Sequence, residues 1–215
     1  MHRCNKQGFF VPAIVALLCA SAFCQEPAIM KTVRALYSEK TPVETMFDLH
    51  ILWKVREKEE SKSGKLCYAP GDKFRVELGT ASWVCNGQTY WEATRDGNNV
   101  QVVIKRAADI DLSMHPSQVL HMYLAKFVFR LKEQQGPKTI VEWKADSLSE
   151  TTQTSRIDLT IDSKQGTITA LDIVDKNGNE SDYRFKKTKT PAHLPDRTFD
   201  YAIPKGASVL DMRNQ

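Results

Sequence analysis

Residues 71–105, GDKFRVELGTASWVCNGQTYWEATRDGNNVQVVIK, constrain the fold more than any other stretch, because strands and tight turns alternate through them without a break. Phe74, Val76 and Leu78 alternate with Lys73, Arg75 and Glu77, the period of two that gives a strand one dry and one wet face. Gly79-Thr80 turns into a second strand, residues 81–85, around Trp83. Asn86-Gly87 is a strong hairpin signal because both residues tolerate positive φ. Tyr90 and Trp91 lie on a third strand over residues 89–93, Asp96-Gly97 turns again, and residues 100–104 make a fourth. The product is an antiparallel meander whose large aromatic side chains need cover.

The flanking sequence extends this sheet. Ile29, Val33, Leu36 and Tyr37 recur at helical spacing, so residues 28–37 read as a short amphipathic helix that Thr41-Pro42 ends. Phe47, Leu49, Ile51, Trp53 and Val55 then form the apolar face of a long strand, and residues 57–64 read as a charged hairpin end. Residues 66–69 resume the sheet and Pro70-Gly71 kinks it. After a polar link, His115-Pro116 opens a helix with Val119, Leu120, Tyr123, Leu124 and Phe127 on one side, giving way to strand near Phe127. Further strands follow at residues 140–143, at Ile157, Leu159 and Ile161, at residues 168–174, and around Tyr183 and Phe185. The last is expected at residues 199–203. The class is therefore α+β, mainly antiparallel β, with about eleven strands in one large sheet, and a sheet of that size tends to curl.

Residues 1–24 read as a secretory signal peptide: Arg3 and Lys6 precede an apolar run over residues 9–20, and Ala20-Ser21-Ala22 is a small-x-small cleavage site. Cleavage before Phe23 or before Gln25 fits, and the run is too short to span a bilayer. Losing Arg3 and Lys6 lowers the net charge of +4 by two, to about +2, which gives no ground for nucleic-acid binding. With no linker visible, residues 25–215 read as a single exported, soluble domain. Cys67 and Cys85 lie on strands separated by the Phe74 strand, about 9.6 Å apart, beyond the roughly 4.4–6.8 Å that a disulfide bridges. They are expected to be free, buried thiols.

Catalytic signatures are missing from the sequence. His50, His115, His121 and His193 are too dispersed for metal-ligand spacing, and neither a nucleophile elbow nor a phosphate loop occurs. Asp109 and Asp111 read as solvated loop carboxylates. The expectation is a non-enzyme without metal or cofactor. Four tryptophans, Trp53, Trp83, Trp91 and Trp143, fall on expected strands; sequence patterning leaves open whether they fill a core or wall a cavity.

The order Pro70, Phe74-Arg75, then Asn86-Gly87-Gln88-Thr89-Tyr90-Trp91 resembles the outer-membrane lipoprotein carrier (LolA) family, which reads roughly Pro, Phe-Arg, Asp-Gly-Lys-Thr-Leu-Trp. Residues 199–211, FDYAIPKGASVLD, are similar to the family's closing Phe-x-x-x-x-Pro-x-Gly-x-x-Val, and His115-Pro116-Ser117 stands where the family has a Pro-initiated helix. The resemblance covers nearly all of the chain after Pro27. It implies an incomplete, open β-barrel with a helical lid over an apolar cavity, walled here by Phe47, Leu49, Ile51, Trp53, Phe74, Val76, Trp83, Trp91, Leu120, Leu124 and Trp143. It further implies a soluble, monomeric periplasmic carrier that takes the acyl chains of lipoproteins from the inner to the outer membrane. Its partners would be acylated lipoproteins, an inner-membrane lipoprotein-releasing transporter and an outer-membrane acceptor. A lipid- or envelope-stress-sensing regulatory module of the same fold is the alternative. One departure concerns the residue before the proline, commonly an Arg that hydrogen-bonds lid backbone in the family; here it is Ala69.

Overall fold

The computed structural model describes residues 26–110, 123–145 and 153–214. The expected leader, Leu120 and the first part of the helix expected after His115-Pro116 lie outside the described residues. One helix, α1 (Ile29–Leu36), precedes β1 (Val43–Trp53), β2 (Lys58–Ala69), β3 (Lys73–Leu78), β4 (Ala81–Asn86), β5 (Thr89–Asp96) and β6 (Asn99–Arg106). A short helical turn at residues 123–126 leads to β7 (Arg130–Gln135), β8 (Lys138–Lys144), β9 (Thr154–Asp162), β10 (Thr167–Asp175), β11 (Glu180–Lys189) and β12 (Ser208–Asp211).

All twelve strands form one open sheet, ordered β12-β6-β5-β4-β3-β2-β1-β11-β10-β9-β8-β7. Two meanders meet where β1 pairs with β11, and β12 adds parallel to β6. Turn chemistry sets the register of the first meander. Asn86 Oδ1 accepts from the amides of Gln88 and Thr89 at 3.0 and 2.9 Å, and Gly87 sits at φ +88° with its α-carbon against Gly71. A Cβ there would stand 2.5 Å from the Gly71 carbonyl oxygen, so the turn requires glycine for space as well as for φ.

Three expectations change. The charged stretch after Val55 is not a loose hairpin end: the turn is confined to Lys54–Arg56 and Glu57, and β2 pairs with β1 from Trp53↔Lys58 onward. Beyond β3's reach these residues meet water, and Glu60 bridges Lys58 and Lys62 at 2.8 and 3.1 Å. The final strand is not residues 199–203. Phe199 ends a helical turn, Asp196–Phe199, and is buried against Cys67 and Leu194; strand pairing starts only after Pro204, at Ser208. Helical structure ends at residue 126, with the Phe127 amide still donating to the Tyr123 carbonyl at 3.2 Å, and β7 starts at Arg130, so residues 127–129 cross between them without strand pairing.

The two faces of the sheet differ. One carries a continuous apolar cluster from β8 to β5, covered by α1 and residues 123–129; this is the inner face. The outer face of the second meander is ionic. Glu142, Asp158, Asp172, Asp182 and His50 stand in one cross-strand row, neutralised by Lys132, Lys144 and Arg184. Outside the first meander, the C-terminal segment covers Cys67 and Ala69 through Leu194 and Phe199, and covers Trp91, Ala93, Val102 and Ile104 through Tyr201 and Ala207. Cys67 and Cys85 thus face opposite sides of the sheet with β3 between them, and both are free.

Candidate functional site

Strand register brings the inner-face side chains into rows. Trp143, Ile157 and Ile173 make one row; Val141, Leu159, Leu171, Tyr183 and Leu49 make the next. Phe185, Phe47, Gly64 and Leu78 continue across the junction of the two meanders. Leu66, Val76 and Trp83 lie beyond, and Val43, Tyr68, Phe74, Cys85 and Tyr90 form the last row. Gly64 is the narrow point. A Cβ there would lie 2.5 Å from the Phe47 ring and 2.6 Å from the Glu77 carbonyl oxygen, so its absence lets Phe47 lie flat across β2.

Aromatic rings dominate the less buried part of this face. Phe47 packs on Tyr183 and Phe185 with centroids 5.8 and 6.3 Å apart, and Phe127 lies 4.0 Å from Trp143 and 5.7 Å from Tyr123. Trp83, Trp143, Phe127, Tyr183 and Phe185 are only half-buried, although all pack against the cluster. The buried phenols and thiol on this side are neutral. Burial pushes the Tyr37 and Tyr183 phenols up to about 12, and raises Tyr68, Tyr90 and the Cys85 thiol as well. The Tyr37 hydroxyl accepts from the Ile168 amide at 2.9 Å, which ties the end of α1 to β10. Among the described residues this surface offers contact area, with no acid–base or nucleophilic pair on it. Among the described residues no cluster of His, Cys, Asp or Glu could hold a metal ion.

The cover over β8 is laced by ions. Arg34 of α1 donates through Nη2 to the Phe127 carbonyl oxygen at 2.9 Å and to Glu26 Oε1 at 2.5 Å; the same Glu26 oxygen accepts from the Phe129 amide at 3.0 Å. Leu124 and Phe129, on either side of Phe127, are buried in the inner cluster. Beside it, an opening of about 470 Å³ is lined by Arg34, Tyr37, Ser38, Glu39, Lys40, Leu124 and Ala125.

The eleven residues expected to wall a cavity divide into five groups. Phe47, Leu49, Phe74, Val76 and Leu124 are buried in the inner cluster, and Ile51, Trp83 and Trp143 pack against it half-buried. Trp91 is on the wrong face: Tyr90 points inward, so by strand parity Trp91 points outward, onto Ile104, Ala93 and Tyr201. Trp53 shares the parity of Leu49 but stands beyond the cluster, at the far end of the β1–β2 hairpin with Arg56 over its ring. Leu120 lies outside the described residues. Tyr68, Tyr90, Tyr183, Phe185 and Phe127 join the same inner face and are not among the eleven. The alternation Tyr183-x-Phe185 was the available signal for two of them.

Ala69 stands where the resemblance implies a latch residue. Ala69 faces outward against Cys67, Leu194 and Phe199, so a side chain there points away from residues 123–129, and Arg34 makes the contact to the crossing instead. Arg75 has another task on the outer face. It pairs with Glu77 at 2.7 Å and donates to the carbonyls of Thr198 and Asp200 at 3.4 and 3.3 Å, clamping the C-terminal segment.

Comparison with known proteins bears on this geometry. The family described as outer membrane lipoprotein carrier protein LolA matches residues 52–202. An uncharacterised conserved protein of Thermus thermophilus has a similar structure, with TM-score 0.52, 17% identity, and coverage of 85% of this chain and 96% of its own. A LolA superfamily protein of Nitrosomonas europaea aligns with TM-score 0.43 and 11% identity over 80% of this chain and 96% of its own. LprF of Mycobacterium bovis aligns with TM-score 0.48 and 11% identity over 78% of this chain and 94% of its own. No curated protein matches the sequence.

Proposed function

The chain belongs to the LolA family of outer membrane lipoprotein carrier proteins, and from that premise we propose that it is an exported carrier that shelters the acyl chains of lipoproteins against its inner face. The observation that carries this reading is the half-buried aromatic set, Trp83, Trp143, Phe127, Tyr183 and Phe185, bordering an otherwise closed apolar cluster. A ligand that displaces the 127–129 crossing takes the place of Phe127 on Trp143 and completes the burial of Trp83, Trp143, Tyr183 and Phe185. An acyl chain of ~14 carbons gains roughly 11 kcal/mol on leaving water, at about 0.8 kcal/mol per CH₂. A lipoprotein therefore needs apolar cover to cross an aqueous space, and binding alone provides it; no bond has to be made or broken. In this reading the cargo crosses the periplasm between an inner-membrane releasing transporter and an outer-membrane acceptor.

A fluorescent fatty-acid probe tests the reading. Trp143→Gln and Trp83→Gln remove half-buried wall and should weaken probe binding more than they lower the denaturant midpoint. If the parent protein takes up no probe while both substitutions cost stability, the inner face is a solid core and the reading fails.

A further inference from the structure

Trp53 and its neighbours serve neither the inner cluster nor the clamp on the C-terminal segment, and their placement points to a contact of their own. β2 pairs with β3 only over residues 64–69, so residues 58–63 and their partners on β1 run on past β3 by roughly 20 Å at a strand's rise per residue. At the end of this extension the helical turn Lys54–Arg56 presents Val55, which is 80% exposed, more than any other large apolar side chain described. Trp53 lies half-buried beside it, with the Arg56 guanidinium 5.8 Å from its ring centroid.

The turn is held in shape. Glu57 closes it at φ +48°, and the Lys54 amide donates to Asn179 Oδ1 at 3.0 Å, which ties it to the β10–β11 turn. Around the two turns Lys54, Arg56, Lys58 and Lys176 are exposed, against the carboxylates Glu57 and Asp175. Asp175 is taken up by the amides of Asn177 and Asn179 at 2.8 and 2.9 Å. Further back, Glu60 lies between Lys58 and Lys62, and Glu59 is 3.4 Å from His50.

We propose that this hairpin end docks on an anionic lipid surface, with Val55 and Trp53 entering the headgroup boundary and Lys54, Arg56 and Lys176 meeting lipid phosphates. An aliphatic tip, an amphipathic indole and long cationic side chains that reach past apolar surface are the composition an interface of that kind takes. A pairing-stiffened turn loses little conformational entropy on contact. This docking is independent of what the inner face binds.

Co-sedimentation with vesicles of phosphatidylcholine alone, and of phosphatidylcholine with phosphatidylglycerol, tests it. The parent protein should sediment with the anionic vesicles, and less so as salt is added. Val55→Asp should weaken that binding by roughly tenfold, the worth of burying a valine side chain. Lys54→Glu with Arg56→Glu should remove the preference for anionic lipid, each cation contributing about fivefold near such a surface. Both variants should keep the parent's melting temperature and its uptake of the fatty-acid probe, which separates docking from acyl binding. Failure of the parent to sediment with anionic vesicles, equal sedimentation with both vesicle types, or a Val55→Asp protein that binds like the parent would each overturn the proposal. The first outcome leaves the tip to a protein partner.

Discussion

Replacing Arg34 with alanine should loosen residues 123–129 while leaving the sheet intact. The substitution removes the hydrogen bond to the Phe127 carbonyl and the ion pair with Glu26, and leaves Glu26 holding only the Phe129 amide. A charge-assisted hydrogen bond contributes about 1.5–3 kcal/mol. The Arg34 side chain is 31% exposed, so the lower end applies. A loss of ~1.5 kcal/mol multiplies the open population of the crossing by roughly ten. Hydrogen exchange read by mass spectrometry should show about that acceleration in peptides spanning residues 123–131. Association of a fatty-acid probe should quicken by a similar factor, since fewer molecules wait closed. Arg75→Ala serves as the control: it frees the C-terminal segment on the other face and should speed exchange at residues 198–204 alone. Unchanged exchange at residues 123–131 in a folded Arg34→Ala protein would refute the reasoning, and Leu124 and Phe129 packing would then be holding the crossing by itself.

Three further outcomes follow from the geometry. Gly64→Ala should cost about 1–3 kcal/mol in urea unfolding, because the added methyl meets the Glu77 carbonyl, which cannot step aside, as well as the Phe47 ring; an unchanged midpoint would show that the two strands move apart freely. Stability should fall with alkali: burial lifts Tyr37 from 10.0 to about 12, so its contribution is whole below about pH 10 and is lost as pH rises toward 12, with Tyr183 acting in the same sense. Urea midpoints taken across that window check this, and Tyr37→Phe should flatten the slope. Cys67 and Cys85 should resist alkylation in the native protein and react on unfolding, since both are buried and burial pushes the Cys67 thiol up to about 11; an intact mass lighter than the free-thiol value by two hydrogens, from a bond between these two, would contradict their placement on opposite faces.

Much of the first meander could be read from residues, because Asn86-Gly87 and Asp96-Gly97 fix the turns and the turns fix parity. The same parity argument, carried one residue further, would have separated Trp91 from Trp83: with Cys85 opposite Tyr90, Trp91 has to face out. Alternation of polarity gives no warning of this, because both faces of β4 and β5 are apolar, one under the inner cluster and one under Tyr201 and Ala207. The run of charges after Val55 misled for a related reason. Residues 58–63 have strand neighbours on one side only, and a strand exposed on both faces carries the composition of a loop. Ala69 and Arg34 show a limit of another sort. Which element touches residues 127–129 depends on how α1 lies across β10, and no local pattern in the sequence encodes that contact.

Whether this protein carries acyl chains is tested most directly by weighing what it holds. Native mass spectrometry of the protein taken from its own envelope fraction without detergent should reveal a bound population heavier by an acylated peptide or an intact lipoprotein. That added mass should diminish in Trp143→Gln. A protein that arrives at its bare mass, under conditions that keep a known lipid complex together, would contradict the carrier reading.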